Sequence, residues 1–575
     1  MPRRFSVVQL QLPFTKGTPE ILPWRNRRWP ERRRDGTFSA YTDPRPAHMR
    51  PDRLALVVAA VLSLAPLNAL PSQAPAKQGS LPPDFDAYVA RVLQTFKVPG
   101  ASVAIVKDGR VVIARGYGVR KLGLPAPVTS RTRFGIASNT KLFTATALGI
   151  LVDEGKIEWD TPVVRYLPDF AMYDPWVTRE ITVRDLLVHR SGLGLGAGDL
   201  LWWPASTYDR KEIVHRLRYI KPATSFRSAY AYDNVLYQVA GELIEAVSGQ
   251  TWEQFMSSRV LAKVGMTESN VSHADMSGPD VAATHAEVDG TVRPIAPFTG
   301  ESTNPAGGIN STAEDMAKWM IVQLDSGRLG DGSRLYPAAT TRQLWRIVTP
   351  LVASTPPAEL AWTSANFRGY ALGVNVTEYQ GRKMLTHTGG LPGYVSQVTM
   401  IPELRLGVAV LTNQESGSAF QSITLRALDA YLGVPAHDYP AIFSKMDEAA
   451  LARARRIESE ATAKRDSTSG PSLPLASYAG RYADAWYGDI TIAQENGGLV
   501  MRFSHTPSLV GDLVHWQHDS FVARWRDREL RADSYVTFAL NPDGTIDHAT
   551  MQAVSPLTDF SFDFQDLLLV PLPAH

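Results

Sequence analysis

Apolar residues recur at helical spacing over 84–96, and two alternating runs, 101–106 and 111–117, flank Lys107-Asp108-Gly109-Arg110, whose Asp-Gly step is a hairpin signal. The pattern predicts a helix followed by an antiparallel hairpin. Two further periodic stretches, 138–153 and 235–247, read as helices ended by Gly155 and Gly249. Thr251-Trp252-Glu253-Gln254 and Ser311-Thr312-Ala313-Glu314 read as capping boxes that open later helices. A second strand pair, 394–401 and 406–411, turns at Pro402-Glu403 and leads into an amphipathic helix at 419–432.

Past residue 435 the pattern changes. A charged, Ala-rich stretch at 448–464 reads as a connecting helix, and 466–472 has the composition of a linker. Strand patterns follow at 489–494 and 499–503 around Asn496-Gly497, and at 521–525 and 535–540 before the turn Asn541-Pro542-Asp543-Gly544. The expected organisation is an α+β domain at 82–435, a connecting segment at 436–474 and a small β barrel or sandwich at 475–572.

The front of the chain differs from both. Residues 1–48 hold ten Lys/Arg against four Asp/Glu without helical or strand period, so they read as an extension outside the native protein. Met49-Arg50-Pro51-Asp52-Arg53 then supplies a short basic start, 54–64 an apolar run too short to span a bilayer, and Ala74-Pro75-Ala76 a small-residue site. That order predicts a signal peptide at 49–76, with Met49 as the true start. The expectation is an exported protein, periplasmic or secreted, with no stable membrane anchor.

With 59 Lys+Arg against 57 Asp+Glu, the chain is too balanced for a nucleic-acid binder, and 44% hydrophobic residues over 575 positions allow a large core. The absence of cysteine removes disulfides, thiol nucleophiles, Cys-ligated zinc and iron–sulfur clusters together. No His-Glu-x-x-His, Gly-x-x-x-x-Gly-Lys or Gly-x-Ser-x-Gly occurs. The expected partner is a small-molecule or peptide substrate, with no metal and no cofactor.

Lys141 is the only lysine with a serine three residues before it, and Ser138-Asn139-Thr140-Lys141 opens a predicted helix, where positions i and i+3 share a face. Downstream come Tyr232-Asp233-Asn234, just before a helix, and His387-Thr388-Gly389-Gly390, on a predicted strand edge. In this order the chain resembles the class C β-lactamase and penicillin-binding-protein superfamily of serine hydrolases, built on Ser-x-x-Lys, Tyr-x-Asn and Lys-Thr-Gly. Leu186-Leu187-Val188-His189-Arg190-Ser191-Gly192-Leu193, Asn304-Pro305-Ala306-Gly307-Gly308 and Leu391-Pro392-Gly393-Tyr394 agree with it. The tail, through Tyr478-Ala479-Gly480-Arg481-Tyr482 and Leu513-Val514-His515-Trp516, resembles the lipocalin-like C-terminal domain of a peptidase subset of that superfamily. The loop Asp199-Leu200-Leu201-Trp202-Trp203 is similar to that subset too.

The resemblance implies the β-lactamase/transpeptidase-like fold and an acyl-enzyme on Ser138, with the backbone N–H groups of Ser138 and Gly390 holding the oxyanion. It implies Lys141 and Tyr232 as the base, the proton left undivided between them, and Asn234 as the group orienting the acyl substituent. His387, with Thr388 and Gly389, stands where the family usually has Lys-Thr-Gly. A histidine titrating near its usual ~6.5 is mostly neutral at pH 7 and gains charge only below that, which favours peptides, amides or esters over β-lactams. A β-lactamase, an esterase and a penicillin sensor that acylates without turnover stay open. Trp202 and Trp203 read equally as a substrate wall or as loop packing, and His515 and Trp516 as barrel packing.

Overall fold

The Asp-Gly hairpin expected near the start forms the edge of the main sheet. In the computed structural model, which describes residues 79–573, strands Gly100–Lys107 and Arg110–Gly118 pair antiparallel, with Asp108 and Gly109 both at positive φ as the tight turn requires. The readings of 1–48 and 49–76 lie outside the described residues. Eight strands follow one another across this sheet in the order Arg110–Gly118, Gly100–Lys107, Leu406–Thr412, Tyr394–Ile401, Arg382–Leu391, Asn375–Tyr379, Arg368–Tyr370, Thr349–Leu351.

Strand alternation builds two cores. Val103, Ile105, Val408 and Val410 meet Phe85 and Val89 of helix Phe85–Thr95 and Ile423 and Leu428 of helix Gly417–Leu432. Ala104, Val106, Ala409 and Leu411 turn the other way, into the larger core with helices Thr140–Asp153, Val235–Ser248 and Ala313–Leu324. Helix Thr140–Asp153 is buried from Thr140 through Leu151, as an element enclosed on all sides must be.

Two sequence expectations are displaced. Helix Ala313–Leu324 is capped by Thr312, whose hydroxyl accepts from Asp315 N–H at 3.2 Å, and not by Ser311, which is paired as a strand residue with Phe134 and shares its hydroxyl with Ser269 at 2.9 Å. The connecting helix begins at Tyr439 and runs to Ala463, since Tyr439 and Phe443 bury against Leu360 ahead of the charged stretch. The Thr251 capping box forms as expected.

Beyond the linker, strands Gly480–Asp484, Gly488–Glu495, Gly498–Phe503, Val510–Gln517, Ser520–Trp525, Ser534–Leu540, Ile546–Ala553 and Leu568–Pro571 close into an antiparallel barrel, the first pairing with the last. Tyr482, Ile490, Met501, Phe521, Val536 and Phe538 are buried in its core. His515 and Trp516 serve packing: the Arg465 guanidinium covers the Trp516 ring at 4.8 Å, and His515 Nε2 lies 2.9 Å from the His518 carbonyl. Among the described residues no helix is long and apolar enough to cross a membrane.

Candidate active site

Ser138 sits in a tight turn at the entrance of helix Thr140–Asp153. The preceding Ala137 has φ of 49°, a left-handed conformation that costs a residue with a Cβ roughly 1–3 kcal/mol. Surrounding bonds hold it there. The Ile136 carbonyl accepts from Asn139 N–H at 3.2 Å and from the Ser396 hydroxyl at 2.8 Å, and Asn139 Nδ2 donates to Ser396 Oγ at 2.8 Å. Ser138 is half-buried between buried Ala137 and Asn139. Strand Arg382–Leu391 passes so close that a Cβ on Gly389 would lie 2.1 Å from the Ile136 carbonyl, so only glycine fits.

Lys141 lies one turn further on and is fully buried. Its Nζ reaches Ser138 Oγ at 3.0 Å, Asn234 Oδ1 at 2.7 Å and the Ala306 carbonyl at 3.1 Å. Burial pulls its pKa down to about 7, partly offset by the buried carboxylates Asp199 and Asp233. Two of its three partners, a carboxamide oxygen and a peptide carbonyl, can only accept. A neutral amine satisfies both with its two N–H groups and turns its lone pair to the Ser138 hydroxyl.

Tyr232 stacks near this amine, with Lys141 Nζ 4.8 Å from its ring centre. Burial pushes the phenol far above its ordinary value, and the hydrogen bond with Ser138 only partly opposes this, so it stays protonated. Asn234, expected to orient a substrate, is instead committed on both sides: Oδ1 accepts from Lys141, and Nδ2 donates to Asp199 Oδ2 at 2.8 Å. Asp199 also accepts from the Trp202 indole N–H at 2.8 Å.

The second half of strand Arg382–Leu391 runs past its neighbour Asn375–Tyr379, whose pairing stops at Thr386, and this places His387 through Gly390 on an open edge. Thr388 is exposed there, Gly389 buried and Gly390 half-buried. His387 departs from the expectation that it gains charge below pH 6.5. Its Nε2 lies 2.8 Å from the Tyr370 hydroxyl and its Nδ1 2.6 Å from the Thr388 carbonyl. Burial, with the Lys141 charge nearby, lowers its pKa to about 3, so the ring is neutral throughout the physiological range.

The two tryptophans lie in different surroundings. Trp202 is buried and bonds Asp199, whereas Trp203 joins Phe298, Gly390 and Leu391 in lining a cavity of about 110 Å³ beside the strand edge. Among the described residues no three His, Asp or Glu side chains cluster in a way that would hold a metal ion. Sequence reasoning missed Tyr370, and the roles of Ala306, Asp199 and the barrel residue Ser561, which donates to Asp199 Oδ2 at 2.8 Å. An acid set directly against Leu200-Leu201-Trp202-Trp203 was the one usable signal, because a carboxylate in so apolar a stretch must find donors.

A family model described as Beta-lactamase matches residues 85–432. The chain belongs to this family. Residues 464–571 match a second model, described as a domain of unknown function (DUF3471). Among curated relatives, "Unguisins hydrolase ungD'" of Aspergillus campestris is 30% identical over 80% of this chain and 88% of its own length. Penicillin-binding protein 4 of Amycolatopsis lactamdurans is 27% identical over 58% of this chain and 85% of its own. The octameric penicillin-binding protein homologue from Pyrococcus abyssi shares the fold, with TM-score 0.52 and 22% identity over 85% of this chain and 99% of its own. A D-amino acid amidase from Ochrobactrum anthropi SV3, solved with D-phenylalanine, gives TM-score 0.50 and 22% identity over 61% of this chain and 99% of its own.

Proposed function

We propose that the protein is a serine hydrolase that forms an acyl-enzyme on Ser138 and cleaves peptide, amide or ester bonds, D-amino-acid peptides among them. The observation that carries this reading is the bonding of Lys141 Nζ: two obligate acceptors and the Ser138 hydroxyl leave a neutral amine one direction for its lone pair. Ser138 Oγ attacks the substrate carbonyl while its proton passes to Lys141. The oxyanion is held by the backbone N–H groups of Ser138 and Gly390, the donors that the family resemblance assigns. Tyr232, kept neutral by burial, donates the proton that the leaving group needs and is restored from Lys141. Water then attacks the ester by the reverse route and frees Ser138.

The neutral His387 offers no fixed cation for a substrate carboxylate, which argues for peptides, amides and esters over penicillins. Relatives named as unguisin hydrolases and the amidase neighbour support the same direction. The test is reaction with a fluorophosphonate and a fluorescent penicillin, followed by p-nitrophenyl esters, nitrocefin and D- and L-aminoacyl anilides. Turnover of esters or anilides above nitrocefin is expected. Labelling by penicillin without any turnover would make the protein a sensor, and nitrocefin as best substrate a β-lactamase.

Export through the 49–76 segment belongs to the same proposal. Expression from Met49 should give a mature protein whose N-terminus, read by mass spectrometry, falls between Leu70 and Lys77. Protein expressed from Met49 that stays uncleaved inside the cell, or protein expressed from Met1 whose exported form keeps residues 1–48, would contradict it.

A further inference from the structure

Between strands Ile546–Ala553 and Leu568–Pro571 the barrel sends a loop onto the buried side of the site. Asp563 accepts the backbone N–H groups of Gly198 at 2.7 Å and Leu200 at 3.0 Å, one on each carboxylate oxygen. Ser561 donates to Asp199 between them, and Phe560 meets the Tyr232 ring edge-on at 6.0 Å. Ser561, Asp563 and Asp199 are all buried.

These contacts form an uninterrupted chain across two domains. Asp199 Oδ2 takes the Ser561 hydroxyl and Asn234 Nδ2, and Oδ1 takes the Trp202 indole N–H. With its amino end held by Asp199, the Asn234 carboxamide has a single sense and must present Oδ1 to Lys141. Only a side chain that accepts at both ends serves at 199. An asparagine there would set an N–H against Trp202 or against Asn234.

We propose that Asp199 is a positioning residue for Lys141, and that Ser561 makes the C-terminal barrel part of that device: the loop fixes Asp199, Asp199 fixes the Asn234 amide, and the amide fixes Nζ against Ser138. Its catalytic consequence rests on the hydrolase reading above. The groups around Lys141 are Asp199, Asp233, Tyr232, Tyr237, His189 and His387, and Asp563 stands behind Asp199. Of these, Asp199 and Asp233 favour the ammonium even though burial raises both carboxyls to about 7, so replacing the Asp199 carboxyl by a neutral group lowers the Lys141 midpoint. The Ser561 hydroxyl favours ionised Asp199, so its loss acts in the same direction and more weakly.

The experiment is a titration of the full chain labelled with 13Cε-lysine, the Lys141 signal being assigned by its loss in Lys141→Arg. Asp199→Asn should lower the midpoint by about one pH unit and Ser561→Ala by a few tenths. On the best ester substrate, Asp199→Asn should cut kcat about tenfold or more with a smaller change in KM, while Ser561→Thr, which keeps the hydroxyl, should restore the wild-type midpoint. Should Asp199→Asn fail to fold, Ser561→Ala decides alone. An unchanged Lys141 midpoint in Ser561→Ala overturns the proposal. A shifted midpoint in a protein whose Ser138 takes no probe would uphold the positioning and reject the hydrolase reading, so the two failures are told apart.

Discussion

Lys141 and His387 are both buried in the same site and both pushed toward the neutral form, yet they end far apart, at about 7 and about 3. An amine ordinarily titrates near 10.5 and an imidazole near 6.5, so the gap they end with is the one they began with, and the site lowers both by a similar amount. Lys141 has two carboxylates, Asp199 and Asp233, close enough to restore part of what desolvation removes. His387 has the Tyr370 hydroxyl, the Thr388 carbonyl and the charge of Lys141 itself, which repels a second cation. A similar lowering, reached through different neighbours, leaves the more basic amine poised near neutral pH and the less basic imidazole a neutral group that shapes the strand edge.

The comparison is broken most severely by removing what the base acts on. Ser138→Ala should abolish probe labelling and lower turnover by about 10⁴-fold or more, with the fold intact because the hydroxyl is small and half-buried. Next in size, Lys141→Ala should slow acylation by about 10²–10⁴-fold in stopped-flow labelling. Adding Tyr232→Phe should cost much less than the product of the separate losses, because the two handle one proton in succession. Multiplicative losses would separate their roles.

A pH profile sharpens the contrast further. The neutral form of Lys141 is the active one, so acylation should fall as pH drops through about 7. The loss should be about tenfold for each further unit. His387→Gln should leave the position of that limb where it is, since the histidine carries no charge to lose. The smallest expected effect is an absence of change: the penicillin-to-ester ratio of kcat/KM should stay flat from pH 5 to 8. A ratio rising below pH 6.5 would show that His387 does gain its proton within reach of the substrate.

How much of this was legible in the chain follows from how local each signal is. The Asp108-Gly109 hairpin, the helices at 140–153 and 235–248 and the Thr251 box are written in neighbouring residues, and the structure forms them. The order Ser138, Tyr232, His387 was equally readable, and those side chains do come together. Barrel strands Val510–Gln517 and Ile546–Ala553 were missed because Gly511, the bulge at His515 and polar residues on both faces blur their alternation. Asn234's commitment to Asp199, the Tyr370 bond that locks His387 and the reach of Ser561 into the site depend on residues 17 to 362 positions apart, and no local pattern encodes them.

The central claim is that Ser138 is the nucleophile and Lys141 its base, and the most direct measurement is intact-mass and peptide-level mass spectrometry after fluorophosphonate treatment across a pH series. One adduct per chain is expected, on Ser138, forming at a rate that falls below about pH 7 and absent from Ser138→Ala. An adduct on another residue, or one on Ser138 whose rate is unchanged from pH 5 to 8, would contradict it.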